Sequence, residues 1–217
     1  MAKTPFVVYI DPGHGGMVNG KYVTPGKRSP KFEDGTQLFE GVHNRVIAAL
    51  LHKRLSDFSS NELLAVNVAP GELDTPLSER VQKANDSWLN MGRPPAIYVS
   101  IHSDAAGDGI NWHQASGMSV YTSIGQTKSD IFASLLIDSL KEEFEDEVRW
   151  REDNTDGDSD KEENFYVLRK TLMPAVLGEF GFHTNKEETA KMFTEEWNKT
   201  IVSSIMKSIL AFRKLSM

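Results

Sequence analysis

The chain has 217 residues, of which 39% are hydrophobic, and this is enough for one domain with a sizeable core. It has no apolar run near the roughly 20 residues of a membrane span, and no cysteine, which excludes disulfides and thiolate metal sites. The net charge of −7 argues against a nucleic-acid partner, which would require a basic face.

Hydrophobic periodicity predicts the elements of the first half. The predicted strands are 6–10, 63–68 and 96–101. The predicted helices are 40–55 and a second helix that begins after Asp74-Thr75-Pro76 and ends around 88–90. A loop rich in glycine, proline and lysine, 15–39, follows the first strand, and loops of this length are usually functional or disordered. The amino terminus enters the first strand directly. We therefore expect no signal peptide, with either a cytoplasmic start or an export signal that has been removed.

The second half continues the alternation of strands and helices. Its predicted elements are a strand at 117–122, a helix at 130–144, a solvated acidic loop at 152–163, a short strand or turn at 165–168 and a strand at 174–180. A helical region follows, capped by Thr184 and Asn185, and ends at about 212. This alternation predicts an α/β fold with a mostly parallel twisted sheet and helices on both faces. We expect a single domain over residues 1–217, since neither a linker nor a repeat divides the chain.

Histidines and carboxylates lie at the ends of the predicted strands. His14 follows the first strand, His102 ends the third, Glu179 lies in the last, and Glu40 begins the first helix. Parallel strands bring such positions to one edge of the sheet. Two histidines and one carboxylate would hold Zn²⁺ with a position open for water, and a second carboxylate would carry protons. The spacing alone leaves a metal hydrolase and a metal-free α/β domain both open.

Several motifs in a fixed order decide between these readings. They are Asp11-Pro12-Gly13-His14-Gly15-Gly16, Glu40, Leu77-Ser78-Glu79-Arg80 with Ala84-Asn85, Ser100-Ile101-His102-Ser103-Asp104-Ala105, and Pro174-Ala175-Val176-Leu177-Gly178-Glu179-Phe180-Gly181-Phe182. Over nearly the whole chain this order resembles the zinc-dependent N-acetylmuramoyl-L-alanine amidases, and more narrowly the AmiC-type, or amidase 3, catalytic domain. Residues 41–45 and 125–130 look closest to phage-type lysins. The resemblance implies Zn²⁺ on His14, Glu40 and His102, with Glu179 catalytic.

The same resemblance implies a substrate and sets expectations about partners. The expected reaction is hydrolysis, in peptidoglycan, of the amide between the lactyl group of muramic acid and L-alanine. Some exported members of the family carry an inserted helix that blocks the zinc until a partner protein removes it. Only Ala105 to Ser116 follows the strand of His102 here, interrupted by Gly107 and Gly109. We therefore expect a monomer that needs no activator, and that is either released from the cytoplasm as a phage lysin or exported by a signal since removed.

Further side chains are candidates for substrate contacts. The basic loop residues Lys21, Lys27, Arg28 and Lys31 could meet carboxylates of the peptide stem, with a solvated loop as the alternative, and Arg28 and Arg169 are the substrate-binding candidates among the arginines. His113 and His183 lie near the rim, where they could support the metal ligands or bind substrate.

Other charged or metal-binding patterns have plainer interpretations. His43 could share a helix face with Glu40, but the Glu-x-x-His metal pattern belongs to helical bundles, which these strands do not form. His52 is expected to be solvated. The acidic run 152–163 approaches the spacing of a calcium-binding loop but begins with Glu152 and has Ser159 at an apolar position, so we interpret it as a solvated segment.

Two alternatives to the amidase remain at the level of sequence. A zinc peptidase acting on the peptide bonds of the wall stem would use the same kind of site, since the metal does not select its amide. A wall-binding module without turnover would be a third reading, but a purely structural metal site has no use for Glu179.

Overall fold

A computed structural model describes residues 4–58, 62–155 and 157–216. Its strands are β1 Phe6–Pro12, β2 Met17–Val18, β3 Lys21–Tyr22, β4 Leu63–Asn67, β5 Ala96–Asp104, β6 Met118–Thr122, β7 Lys161–Glu162 and β8 Ala175–Phe182. The central sheet has six strands in the order β4-β1-β5-β8-β6-β7. Only the β6–β8 pairing is antiparallel, so the sheet is mostly parallel, as the alternation of elements predicts.

The helices are α1 Glu40–Asp57, α2 Leu77–Asn90, α3 Lys128–Phe144, α4 Tyr166–Lys170, α5 Lys186–Met192 and α6 Glu195–Ser216, and a 3₁₀ turn at Glu145–Glu147 extends α3. These elements form a single α/β domain, which confirms the predicted fold class. Among the residues described, no helix is both long enough and apolar enough to span a bilayer.

One face of the sheet is closed by α1, α3 and α6. Alternate strand residues such as Val8, Val99 and Phe180 point into this layer and are completely buried. They pack against apolar residues of the three helices, including Leu51, Leu136 and Ile205. Because successive strand residues alternate between faces, the neighbours of these core residues must point to the opposite face.

The opposite face is covered over the first part of each strand. Val7, Tyr9, Tyr98, Ala175 and Leu177 form a second, smaller core with Val81 and Ala84 of α2 and with Val167 and Leu168 of α4. Beyond this core the same alternation continues with Asp11, His102 and Glu179. In β5 and β8 the only residues that are not fully buried are His102, Asp104 and Glu179. The open part of this face therefore carries the polar side chains.

The structure corrects several predicted boundaries. The segment 165–168, predicted as a strand or turn, instead contains the start of the short helix α4, in which the adjacent residues Val167 and Leu168 both pack into the second core. The acidic segment is not wholly loop, since β7 pairs with Tyr121 and Thr122. The last helical region is split into α5 and α6. Asn185 caps α5 as predicted, with its side chain accepting from the backbone N–H groups of Glu187 and Glu188.

Candidate active site

His14, Glu40 and His102 come together at the open part of the sheet. Glu40 Oε1 lies 3.3 Å from His14 Nε2 and 3.1 Å from His102 Nδ1, and ligand atoms of the three residues all lie within 4.8 Å of one another. In the described ranges no other three histidine, cysteine, aspartate or glutamate side chains bring their ligand atoms this close together. The three residues that sequence motifs single out are thus brought together from β5, the start of α1 and the loop after β1.

The geometry of this triad fits a small dication. Donors about 2.1 Å from a tetrahedral zinc ion lie about 3.4 Å apart, close to the 3.3 and 3.1 Å that separate Glu40 Oε1 from the two histidine nitrogens. Glu40 Oε2 is buried without a hydrogen-bond partner, so it has a free lone pair for a ligand. The two imidazole rings meet edge to face, with centroids 5.0 Å apart, and their side chains remain 20% and 17% exposed. A ligand or substrate can therefore reach both histidines.

Glycines permit the close approaches that build the triad. A Cβ on Gly13 would overlap the imidazole of His102, and a Cβ on Gly41 would overlap the carbonyl oxygen of Gly15. Gly13 therefore lets the loop after β1 pass across His102, and Gly41 lets the start of α1 reach that loop. These contacts give a physical reason for the glycines beside His14 and Glu40.

Two arginines fix the backbone at His14, which has a left-handed conformation with φ 62°. Its carbonyl oxygen accepts from Arg45 Nη1 at 2.8 Å and from Arg80 Nη2 at 3.1 Å. Arg80 also donates to Asp11 Oδ1 at 2.5 Å, and both of these side chains are 1% exposed. Ser100 Oγ donates to the other oxygen of Asp11 at 2.7 Å. The strained backbone of His14 is therefore held by buried charge-assisted hydrogen bonds.

Sequence reasoning did not assign a role to Arg45 or Arg80. For Arg80 a signal was present, because it falls on the same stripe of α2 as the buried Val81 and Ala84. A charged side chain in such a stripe is rarely buried without a partner. For Arg45 no signal in the sequence distinguishes it from an exposed helix residue.

The protonation of the triad follows from its contacts. Burial alone would raise the pKa of Glu40, but hydrogen bonds from His102 and His14 hold that pKa well below its usual range. Burial opposes the charged form of His102, yet the neighbouring Glu40 and Glu179 carboxylates raise its pKa overall. Glu40 is therefore ionised, as a metal ligand must be.

Glu179 lies beside the triad without belonging to it. It pairs with His102 in the β5–β8 register and lines a cleft of about 290 Å³ together with His14 and His102. Burial, with added repulsion from Glu40 and Asp104, raises the pKa of Glu179 to about 8, although the positive charge of His102 opposes this. A dication bound at the triad would favour the carboxylate again. Glu179 can therefore hold or release a proton near neutral pH.

His183 supports the triad from beneath. It is 1% exposed, and its Nδ1 lies 3.0 Å from both the hydroxyl and the carbonyl oxygen of Ser103 and 3.9 Å from Glu40 Oε2. Burial lowers the pKa of His183, which keeps the ring neutral. His183 does not line the cleft, and a role for it in metal support or in substrate binding stays a prediction.

The other substrate-binding candidates lie outside the cleft. Arg28 and His113 are exposed and do not line it, and Arg169 lines a separate cavity of about 440 Å³ with Lys128 and Thr127. A substrate contact by any of them stays a prediction. Lys27, next to Arg28, lines the cleft itself.

The remaining histidines and the acidic run take no part in the triad. His43 is buried and its Nε2 bonds Asn198 Oδ1 at 2.8 Å, while His52 is exposed, as expected. In the acidic run Glu152 pairs with Lys141. Asp156, a central member of the calcium-like spacing, lies outside the described residues.

Comparison with known proteins decides what this site belongs to. A family model described as N-acetylmuramoyl-L-alanine amidase matches residues 8–211. The chain belongs to this family. The family is generally metal-dependent, and the triad is the possible metal site of this N-acetylmuramoyl-L-alanine amidase.

The chain is also similar to individual proteins, two of which are described as N-acetylmuramoyl-L-alanine amidases. The chain is 25% identical to YqiI of Bacillus subtilis over 202 residues, which cover 93% of this chain and 82% of YqiI. It is 26% identical to the N-acetylmuramoyl-L-alanine amidase CwlM of Bacillus licheniformis, with 89% of this chain and 63% of CwlM covered. The crystal structure of an N-acetylmuramoyl-L-alanine amidase from Clostridium difficile 630 superposes with a TM-score of 0.75 at 26% identity, covering 97% of both chains.

Proposed function

We propose that this amidase is a zinc enzyme that hydrolyses the amide between the lactyl group of N-acetylmuramic acid and L-alanine in peptidoglycan, with residues 1–217 acting as its catalytic domain. The observation that carries the proposal is the uncommitted carboxylate of Glu179 in the same cleft as the two accessible histidines of a triad of metal-binding type. The family match favours this reading over a peptidase or a wall-binding module.

His14, Glu40 and His102 would hold the ion. Zinc bound there would lower the pKa of a water molecule to roughly 7 and polarise the substrate carbonyl. The orphaned Oε2 of Glu40 and the donor separations support this ligand set. Arg45 and Arg80 would keep His14 in place, because they donate to its backbone carbonyl oxygen. His183 would support the backbone next to His102, because its ring bonds Ser103.

Glu179 would carry the protons of the reaction. As a carboxylate it accepts the proton of the attacking water, and as a carboxylic acid it donates that proton to the leaving amine of L-alanine. The raised pKa of Glu179 favours the acid form that donates a proton to the amine. A nearby cation would favour the carboxylate form that accepts a proton from water. Among the described residues, the other carboxylates that line the cleft are already engaged: Asp11 is held by Arg80 and Ser100, and Asp74 by Arg80 and Thr24.

We also infer that the enzyme is an active monomer without an activator, and that it acts on the wall after release from or export by a cell. Residues 105–116 form no helix, and the histidines of the triad remain accessible. Addition of cell extract should therefore leave the specific activity of purified, zinc-loaded protein unchanged. A purified protein that stays inactive until another protein is added would contradict this part of the proposal.

The test is digestion of purified peptidoglycan by zinc-loaded protein, chelator-treated protein and the Glu179→Gln variant, with products identified by mass spectrometry. We expect stems that begin with L-alanine from the zinc-loaded protein only, and a loss of about 10²–10⁴-fold in kcat for the variant. Cleavage within the stem would indicate a peptidase. Full activity of Glu179→Gln, or no product while zinc remains bound, would overturn the proposal.

A further inference from the structure

The cleft beside the triad has walls of different chemistry. Its apolar lining comes from the start of α2, from α4 with the residue before it, and from β8, namely Leu77, Phe165, Tyr166, Val167 and Leu177. Leu77 and Phe165 remain 52% and 38% exposed in spite of their size. The charged side chains that line the cleft include the cations Lys27 and Arg80.

Of these two cations, Arg80 is already engaged and Lys27 is not. Arg80 donates to Asp11, Asp74 and several backbone carbonyl groups, and its side chain is 1% exposed. Lys27 is exposed, and in the part of the chain that the structure describes no carboxylate lies within 4.0 Å of its Nζ. Lys27 is thus the cleft cation available to a ligand.

The backbone ties Lys27 to the metal triad. The carbonyl oxygen of Lys27 accepts from the backbone N–H of Glu40 at 2.9 Å, and its own N–H donates to Thr24 at 3.0 Å. The hydroxyl of Thr24 accepts from the N–H of Gly15 at 3.0 Å and donates to Asp74 at 2.8 Å. The loop that carries Lys27 is therefore attached both to a triad residue and to the backbone next to His14.

In the substrate of the proposed function, the anionic groups lie only on the peptide side of the scissile amide. The single carboxyl group of N-acetylmuramic acid is consumed in the scissile amide, and the sugars of the glycan are neutral. Free carboxylates occur along the peptide stem, beyond L-alanine. We propose that Lys27 binds a stem carboxylate and so orients the leaving-amine side of the substrate; this inference rests on the proposed function.

The arrangement also gives Lys27 a role in attracting the substrate. The chain carries a formal net charge of −7, which repels an anionic stem in general. An exposed cation in the cleft provides a local site that favours one direction of binding. When a stem carboxylate binds Lys27, the peptide stem extends from the triad towards Lys27. The glycan then extends from the triad in a different direction.

The test compares two substrates made from the same uncross-linked glycan strands. One keeps the stem carboxylates free, and in the other they are converted to carboxamides. For the zinc-loaded wild type we expect kcat/KM to be about twofold to fivefold higher on the free acid, a modest ratio because Lys27 is exposed to solvent. The ratio should fall towards one in 0.5 M salt, where surface charges are screened.

Variants separate a specific contact from a general effect of charge. Lys27→Met should abolish the preference for the free acid through a raised KM on that substrate, and Lys27→Arg should restore the preference. Lys186→Met is the matched control, because Lys186 in α5 is an exposed cation outside the cleft, and it pairs at 3.2 Å with Glu33 of the loop that carries Lys27. An unchanged preference in Lys27→Met, or an equal loss in Lys186→Met, would overturn the inference. If wild type cleaves neither substrate, the proposed function has failed instead.

Discussion

The two faces of the central sheet are built from alternate residues of the same strands, yet one is closed and the other holds the cleft. On β8, Phe180 is completely buried beneath α3 and α6, and its neighbour Glu179 points into the cleft. On β5, Ile101 and His102 are divided in the same way. A carboxylate or imidazole is thus held by a rigid backbone without being enclosed by the core. Because successive side chains of a strand point to opposite faces of the sheet, a residue of the cleft and a residue of the core are neighbours in the chain.

The closed face should control stability and not chemistry. Phe180→Ala leaves a cavity where the ring packs over Gly178, and we expect it to lower the free energy of unfolding by about 3–5 kcal/mol. Phe193→Ala is the control, because Phe193 is 51% exposed and should change stability by less than about 1 kcal/mol. Urea denaturation followed by circular dichroism measures both. Equal destabilisation by the two variants would contradict the assignment of the core.

The open face should control metal binding through close packing. Gly13→Ala would push a methyl group into the His102 imidazole, so we expect zinc affinity to fall about 10–100-fold. Gly26→Ala is the control, since a Cβ on Gly26 meets nothing within 4 Å. Competition with a chromophoric chelator gives both affinities. Unaltered affinity in Gly13→Ala would mean that the loop does not need to pass this close to the ring.

Among the helices of the closed face, the buried His43 should make stability depend on pH. Burial between α1 and α6 lowers the pKa of His43 to about 4, while the ring in the unfolded chain titrates near 6.5. As pH falls from about 6.5 to 4, the unfolded state gains a proton that the folded state does not, so stability is lost. Stability is fully present above this window.

His43→Gln removes that proton while keeping an amide near Asn198. Relative to wild type, we expect the variant to gain about 1–2 kcal/mol of stability between pH 7 and pH 5. The measurement is urea denaturation of the two chelator-treated proteins at several pH values. A stability difference that does not vary with pH would show that His43 is protonated equally in both states.

Much of the fold and the triad follows from the sequence because both depend on regular patterns. Buried strands fix a parallel sheet, and a parallel sheet brings residues such as His14 and His102 together across a long stretch of chain. Helix α4 is missed because five residues are too few to show a helical period. The split between α5 and α6 is missed because apolar residues continue through the turn.

Contacts that depend on three-dimensional packing could not be predicted in this way. No pattern indicates that Arg45 reaches the carbonyl group of His14, since its neighbours on α1 give no sign of a partner in another loop. Lys27 and Arg28 are adjacent and chemically alike in sequence, and only the fold brings Lys27 to the cleft. Such assignments need the position of a loop backbone, which periodicity does not supply.

The central claim is that His14, Glu40 and His102 hold one zinc ion while Glu179 acts without binding it. Native mass spectrometry after equilibration with zinc and removal of the excess tests this claim most directly. The account predicts one ion per chain in wild type and in Glu179→Gln, and none in His102→Ala. Full occupancy in His102→Ala, or loss of the ion in Glu179→Gln, would contradict it.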